Sequence, residues 1–404
     1  MNWEYVLPIV FFTCLGVQLI YLLGVFPTLN RHVDFEVNAT DAKNKPGVSV
    51  IVCALNEIDN LKELLPLLEN QDYPNFEIIV VDDRSEDGTY DYLLNNEGNF
   101  SKVKFVRILN LPEHFTAKKY ALTMGIKKST NNIILLTDAD CRPNSNKWIS
   151  SMETQLTSDR DLVLGFSPYY RFPGYLNAFI RYETFQTALQ YFSFAKAGFP
   201  FMGVGRNLMY RKDSFWKNNG FASHKALLSG DDDLFVNAIA NKKNTEIRID
   251  RDSWMDSEPK QTFDDWITQK KRHLSVGKVY KTKDKVTIGA LWLSFIGTWL
   301  LVIPTFFTNP SWFQLPDWLI VPDDWLLQYG LTHWTPFNNW MRLVVIVFLA
   351  WFFLRWLILH IANKKLGSTI RSSKIPVMDF IYLVYLLTFG IITIFSNPKK
   401  IKWR

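Results

Sequence analysis

What most limits the folds open to this chain is the placement of its long apolar runs. Tyr5 to Phe26 is apolar and carries no internal charge. Three further runs lie toward the C-terminus, roughly Val286–Phe307, Leu343–Ala362 and Pro376–Phe395. A helix needs about 20 apolar residues to cross the hydrocarbon core of a bilayer, and each run has that reach. The polar stretch between the first and second runs is long enough for a domain of its own. The chain therefore reads as 1–30, an N-terminal transmembrane helix; 46–282, a globular domain; 286–396, a C-terminal membrane region of about three apolar helices; and 397–404, a basic tail. Arg355 and Asp379 interrupt the last two runs. Intramembrane charges are functional suspects by default, although Arg355 can equally snorkel or pair within the protein.

Charge at the flanks sets an orientation. No basic residue precedes the first run and no small-residue cleavage site follows it, which argues against a cleaved signal peptide. Only Glu4 precedes it, whereas Arg31 and His32 follow. Basic flanks favour the cytoplasmic side, so the N-terminus is expected outside and the globular domain in the cytoplasm. The segment Asn309 to Met341 has no Lys or Arg but carries Asp317, Asp323 and Asp324, as suits an outer interfacial segment. A conflict follows. Lys364, Lys365, Arg371 and Lys374 precede the last run, and Lys399, Lys400, Lys402 and Arg404 follow it. Both groups cannot be cytoplasmic if Pro376–Phe395 crosses. Either the charge rule fails at one end, or one apolar segment lies flat or re-enters.

The net charge of +6 over 404 residues is modest, and the cations sit beside apolar runs, so nucleic acid is not an expected partner. Cys14, Cys53 and Cys141 have neither CxxC nor metal-ligand spacing, which argues against a disulfide framework.

Within the polar segment, strand-like and helix-like stretches alternate. Val48–Ala54 (VSVIVCA), Glu77–Val81, Val103–Ile108 and Ile133–Leu136 read as buried strands. Glu57–Asn70, Asp87–Asn95 and Ala117–Lys128 read as the helices between them. Such alternation predicts parallel βαβ units in an αβα arrangement, whose ligands sit at the carboxyl ends of the strands. Pro168 to Gly205 is dense in Tyr and Phe, consistent either with core packing or with an amphipathic surface that meets lipid.

Four clusters in this segment can carry chemistry. Asp82-Asp83-Arg84-Ser85-Glu86-Asp87-Gly88-Thr89 follows a buried strand. Its carboxylates can accept hydrogen bonds from a nucleobase or ribose, and the competing reading is a turn with a helix cap. Thr137-Asp138-Ala139-Asp140 follows the fourth strand. If the backbone there is extended, both carboxylates point to one side. They can then hold a hard divalent cation, which a departing nucleoside diphosphate needs; a turn is the alternative. Ser229-Gly230-Asp231-Asp232-Asp233-Leu234 sets three carboxylates in a row. Their repulsion can bring one pKa into general-base range, and a solvated acidic turn is the alternative. Gln269-Lys270-Lys271-Arg272-His273 is a basic run that can meet phosphates or simply flank the membrane.

In this order the clusters resemble those of the family-2 glycosyltransferases, from Val48 to about Lys281. The flanking spans resemble membrane-integrated members such as cellulose, hyaluronan and poly-N-acetylglucosamine synthases and ceramide glucosyltransferase. The resemblance implies an α/β fold, the nucleotide-binding αβα sandwich called the A-type glycosyltransferase fold, with transmembrane helices at both ends. Ala54-Leu55-Asn56-Glu57 is similar to the family's A-x-N-E, whose acid lies near the nucleotide. Asp82-Asp83 resembles the segment whose second acid, here Asp83, contacts uracil. Thr116 to Leu122 resembles G-K-x-x-A-L, with Ala117 in place of Gly and Lys118 as the lysine. Asp138-Ala139-Asp140 resembles the metal-binding D-x-D, with Asp140 the usual ligand of Mg²⁺ or Mn²⁺. Gly230-Asp231-Asp232 resembles the motif whose second acid, here Asp232, is the catalytic base. Gln269 and Arg272 match Q-x-x-R-W, with His273 in place of Trp.

The implied activity is inverting transfer of a sugar from a nucleotide-sugar, UDP rather than GDP, to a hydroxyl of a lipid or membrane-associated glycan. It takes place at the cytoplasmic face of the plasma or inner membrane. The alternatives are a processive polysaccharide synthase, which His273 disfavours, and a non-catalytic nucleotide-binding membrane scaffold, which the retained acids disfavour.

Overall fold

The computed structural model describes residues 3–34, 45–308, 310, 328 and 339–395, the last five by backbone alone. The outer segment around Asp317, Asp323 and Asp324 and the tail 397–404 lie outside the described residues. In chain order the helix α1 (Trp3–Leu19) continues through a π-helical stretch, Ile20–Val25, into α2 (Pro27–Arg31). The domain then runs β1 (Val48–Ala54), α3 (Ile58–Glu69), β2 (Phe76–Asp83), α4 (Thr89–Asn95), β3 (Val103–Ile108), α5 (Ala117–Lys128) and β4 (Ile133–Asp138). It continues with β5 (Cys141–Pro143), α6 (Trp148–Glu153), β6 (Leu162–Gly165), α7 (Tyr175–Lys196), β7 (Leu208–Arg211), α8 (Lys212–Lys217) and α9 (Asp233–Ile239). After β8 (Thr245–Arg248), β9 (Met255–Ser257) and α10 (Phe263–Val276) come α11 (Thr282–Phe306), α12 (Asn339–Lys365) and α13 (Ile375–Phe395).

Seven strands form one sheet in the order β3-β2-β1-β4-β7-β6-β8. β1 to β4 are parallel, as the alternation predicts, and the antiparallel β7 ends that pattern. Val50, Ile51, Val52, Ile78, Ile79 and Val80 are buried, so both faces of the central strands are covered. α5 lies close on the sheet at Gly125, where a Cβ would come 2.7 Å from Ile51 Cγ2 and 3.0 Å from Val81 Cγ2. This approach brings the first turn of α5, with Lys118, beside the strand ends. In register, Ala54 faces Asp82 and Cys53 faces Asp138, so three strands end their acidic tips along one edge.

Among the described residues four helical stretches are long and apolar enough to cross a membrane: Trp3–Arg31, Thr282–Phe306, Asn339–Lys365 and Ser372–Gly390. α1 and α11 pack antiparallel. Gln18 Nε2 donates to the Leu291 carbonyl at 2.9 Å, and Tyr21 donates to the Thr287 carbonyl at 2.6 Å. At the other end of α11, Trp340 at the start of α12 donates to the Thr305 carbonyl at 3.0 Å. The aromatic stretch Pro168–Gly205 resolves in favour of core packing. α7 buries Phe179, Ile180, Tyr182, Phe185, Leu189 and Phe192 between the sheet and the membrane helices.

Candidate functional site

The two loops after β1 and β2 are stitched together. Asn56 takes φ 57° and accepts the Glu86 N–H at 2.8 Å, while its own N–H donates to Ser85 Oγ at 2.9 Å. The Glu57 N–H donates to Thr89 Oγ1 at 3.2 Å, and the Ile58 N–H to Asp87 Oδ2 at 2.9 Å. Ser85, Asp87 and Thr89 are therefore turn and cap residues, whereas the Glu57 and Asp83 carboxylates bond elsewhere. Asp83 Oδ1 accepts Arg84 Nε at 2.8 Å. Glu57 Oε2 accepts Asn60 Nδ2 at 2.6 Å, and Asn60 Oδ1 in turn accepts Arg142 Nη2 at 2.8 Å.

Of the two backbones left open for Asp138-Ala139-Asp140, extended strand or turn, the chain takes the turn. β4 ends at Asp138, and Ala139-Asp140 form a turn. The cause is the next pairing, in which β5 bonds antiparallel to β9 and draws the chain off the main sheet. The two carboxylates still influence each other. Burial first, and then the charge of Asp138, raise the Asp140 pKa. Burial also raises Glu57, with Asp140 and Asp138 adding to the effect despite the Asn60 hydrogen bond. Asp140 and Glu57, raised first by burial and then by neighbouring carboxylates, are the kind of acids that a hard divalent cation relieves. Among the described residues no group of three His, Cys, Asp or Glu forms a complete cage. The residues fit a cation that draws its other ligands from a diphosphate and water, as Mg²⁺ commonly does.

Lys118 joins two motifs that lie far apart in sequence. Its Nζ is 2.9 Å from Asp138 Oδ1 and 3.3 Å from Asp231 Oδ2. Enclosure opposes its charge, but Asp138 and Asp231 outweigh that and hold its pKa well above the usual lysine value. Its neighbour Lys119 is structural. It is buried and donates to the carbonyls of His224, Leu227 and Ser229 at 2.6–2.9 Å, which shapes the loop before Gly230.

The three consecutive acids have different partners. For Asp231, burial is outweighed by Lys118 and Lys119, and its pKa is lowered. Asp233 Oδ2 accepts Tyr280 Oη at 2.9 Å; burial, then Asp232, push its pKa up to about 8. Asp232 is the helix cap of α9: Oδ1 accepts the Asp233 N–H and Oδ2 the Gly205 N–H, each at 2.7 Å. Burial, then Asp231, raise its pKa. Of the three, only Asp232 is more than marginally accessible.

α10 carries the basic run. Lys270 is buried and ion-paired with Glu183 of α7, which fixes α10 against the domain. Gln269 and Arg272 are half-buried, and Arg272 lies near enough for its charge to act on Asp231. His273, where the family motif has Trp, is 3.4 Å from Arg272 through Nε2. The sequence reading missed Arg206. It sits in a short 3₁₀ turn, Gly205–Asn207, with its guanidinium 4.4 Å from the Tyr169 ring centre. Its charge acts on Asp140, and its buried Nη1 has no hydrogen-bond partner among the described residues. The signal was an arginine flanked by Gly205 and Asn207 just before a buried strand.

Residues 49–218 match the family model of glycosyl transferase family 2. The chain is 25% identical over 189 residues to glycosyltransferase AglE of Haloferax volcanii, covering 46% of this chain and 59% of that protein. It is 29% identical over 148 residues to a beta-monoglucosyldiacylglycerol synthase of Nostoc sp., covering 36% of this chain and 30% of that one. The chain thus spans less than two thirds of the length of these curated relatives. Mannosyltransferase PcManGT from Pyrobaculum calidifontis, solved in complex with GDP-Man and Mn2+, aligns over 90% of this chain and 98% of its own, with TM-score 0.54 and 17% identity. At that identity the likeness is one of fold.

Proposed function

We propose that this chain, which carries a glycosyl transferase family 2 domain over residues 49–218, is a membrane-anchored inverting glycosyltransferase. It moves a sugar from a UDP-sugar to a hydroxyl of a lipid or membrane-associated glycan. The observation that carries this reading is the Lys118 bridge between Asp138 at the end of β4 and Asp231 just before α9.

Glu57 and Asp83 orient the nucleotide. Asp232 takes the acceptor hydroxyl proton, held in place by the N–H groups of Gly205 and Asp233. The freed oxygen attacks the anomeric carbon from the face opposite the leaving diphosphate, which inverts the centre. Arg272 and Arg206 meet the charge that develops on the phosphates. Mg²⁺ or Mn²⁺, held by Asp140 with Asp138 beside it, would supply further neutralisation of that charge. His273 in place of Trp favours one or a few transfers over long processive synthesis.

The preference for UDP rests on the motif resemblance at Asp83, and the mannosyltransferase of similar fold was solved with GDP-Man. Calorimetry with UDP and GDP side by side separates the two, and tight GDP binding with no UDP binding overturns the assignment. The activity is tested by incubating purified protein with UDP- and GDP-sugars and lipid extract, followed by mass spectrometry. A glycosylated lipid or glycan is the expected product, and no product from any donor counts against the reading.

A further inference from the structure

A cavity of about 260 Å³ opens where α7 meets the loop between α12 and α13. Arg171, Arg181, Arg371 and Lys374 line it together with Thr369 and Ser372. Among the described residues no carboxylate lines it.

The frame around these cations is built. Asn177 accepts the Phe172 N–H and donates to the Tyr170 carbonyl, both at 3.0 Å, and so clasps the chain on either side of Arg171. Asn177 also accepts Arg181 Nε at 3.2 Å, and the Arg181 guanidinium donates to the Thr369 carbonyl. On the other wall, Asn363 of α12 donates to the Ile370 carbonyl at 2.7 Å and accepts the Ile370 N–H at 3.1 Å. Trp356 donates to the Ser372 carbonyl at 3.0 Å, and His360 Nδ1 is 2.6 Å from Ser372 Oγ. The segments that carry these four like charges are thus held by neutral partners, and no anion among the described lining residues balances them. Burial, and then the charge of Arg171, lower the Arg181 pKa, as expected of cations set close together.

The setting identifies the ligand. The loop joins two helices long and apolar enough to span a membrane. Just beyond it α13 exposes Val377, Phe380 and Ile381 at 61%, 52% and 40%. Basic residues gathered at the end of a membrane helix attract anionic headgroups, and arginine pairs well with phosphate oxygens. We infer that this cavity binds the phosphate of an anionic membrane lipid, whose acyl chains lie along Val377, Phe380 and Ile381. The site rests on α12 spanning the membrane and on the exposed face of α13 meeting its surface, and is independent of which acid is the catalytic base.

The test uses the full chain purified in a neutral detergent. Thermal shift and native mass spectrometry are run with phosphatidylglycerol, with uncharged diacylglycerol and with inorganic phosphate. Wild-type protein is expected to bind phosphatidylglycerol saturably and to melt at a higher temperature with it. Arg171 and Arg371 are exposed, so Arg171→Gln/Arg371→Gln should fold normally, with an unchanged melting temperature in the absence of lipid. Loss of two charge-assisted contacts should weaken its lipid binding by roughly tenfold or more. The charge-preserving Arg371→Lys should retain most of the binding. Equal lipid affinity in wild type and the double Gln variant overturns the site. Diacylglycerol binding as tight as phosphatidylglycerol binding overturns the role of the phosphate. Inorganic phosphate as effective as the lipid at equal concentration overturns the lipid assignment.

Discussion

Asp232 stands apart from its neighbours by what its carboxylate meets. Asp231 faces a lysine and Asp233 a tyrosine, while Asp232 accepts two backbone N–H groups. General-base assistance is typically worth about 10²–10⁴ in rate. Asp232→Asn should therefore cut transfer at least about a hundredfold with little change in the donor dissociation constant. Near-wild-type transfer by Asp232→Asn, with Asp231→Asn inactive, would move the base by one residue. Excess chelator should likewise abolish transfer, and Asp140→Ala should be inactive; full turnover in either case removes the cation from the mechanism.

Asp233 gives a pH signature. An unfolded aspartate titrates near about 3.9, whereas folded Asp233 is pushed up to about 8. Between those values the unfolded chain has released the proton that the folded chain keeps, so stability from this group falls as pH rises across that window. Asp233→Asn keeps an acceptor for Tyr280 and removes the titration. Its melting temperature relative to wild type should rise from about pH 5 to about pH 8, and a margin that shrinks over that range contradicts the assignment. Most of these residues were legible because strand ends followed by acids have a recognisable pattern. Arg206 was not, because it reaches the acids through a fold of the chain after α7 that no spacing reports. Sequence left strand and turn open at Asp140 for a similar reason, since the β5–β9 pairing that decides between them joins residues far apart in sequence.

Among the elements, the parallel strands were readable from continuous β-branched runs, and α5 has the bounds that its sequence suggests. The antiparallel β7 and the short β6 and β8 were not, because strands of four residues leave too little pattern to read. The use of α7 was open in sequence for a different reason: its aromatic residues suit lipid and protein equally. Tertiary partners decide it. Tyr182 Oη donates to Asp379 Oδ1 at 2.8 Å, and Asp379 accepts two hydrogen bonds from Arg355 at 2.6 and 2.8 Å. The two charges that interrupt the membrane runs are therefore one buried pair that ties α12 and α13 to the domain. Removing one partner of such a pair leaves an uncompensated buried charge and typically costs about 3–5 kcal/mol, while an apolar replacement of both is often neutral. Asp379→Leu should lower the melting temperature in detergent sharply, and Arg355→Leu/Asp379→Leu should recover most of the loss. A double variant no more stable than the single one would show that the pair is not the source of the effect.

At the scale of the whole molecule, the packing of α13 bears on the charge conflict in the sequence. α1 ends and α11 begins beside each other at the domain, since Tyr21 bonds Thr287. α12 starts at the far end of α11, where Trp340 bonds Thr305, and returns. Because Trp356 and His360 of α12 hold Ser372, α13 starts within reach of the returning end of α12. A helix rises 1.5 Å per residue, so from Ile375 to Phe389 it travels about 21 Å. If α13 crossed the bilayer, Phe389 would lie deep within it, yet its ring is 5.4 Å from that of Trp266 in α10. Tyr385 likewise packs on Phe179 of α7 and on Trp266. Trp266 follows the exposed acids Asp264 and Asp265, which belong in water rather than lipid. The expectation is that α13 lies along the underside of the domain and does not cross. Three spans then put the domain, Lys364 to Lys374 and the basic tail on one side, and every basic cluster satisfies the same rule. Single cysteines test this with an impermeant maleimide on intact cells. Asp159→Cys, on the exposed domain surface, and Lys399→Cys should label only after permeabilisation, and Asp317→Cys should label in intact cells. Labelling of Lys399→Cys alongside Asp317→Cys would mean that α13 crosses after all. Labelling of Asp159→Cys in intact cells would reverse the orientation and put the domain outside, away from the cytoplasmic pool of nucleotide-sugars.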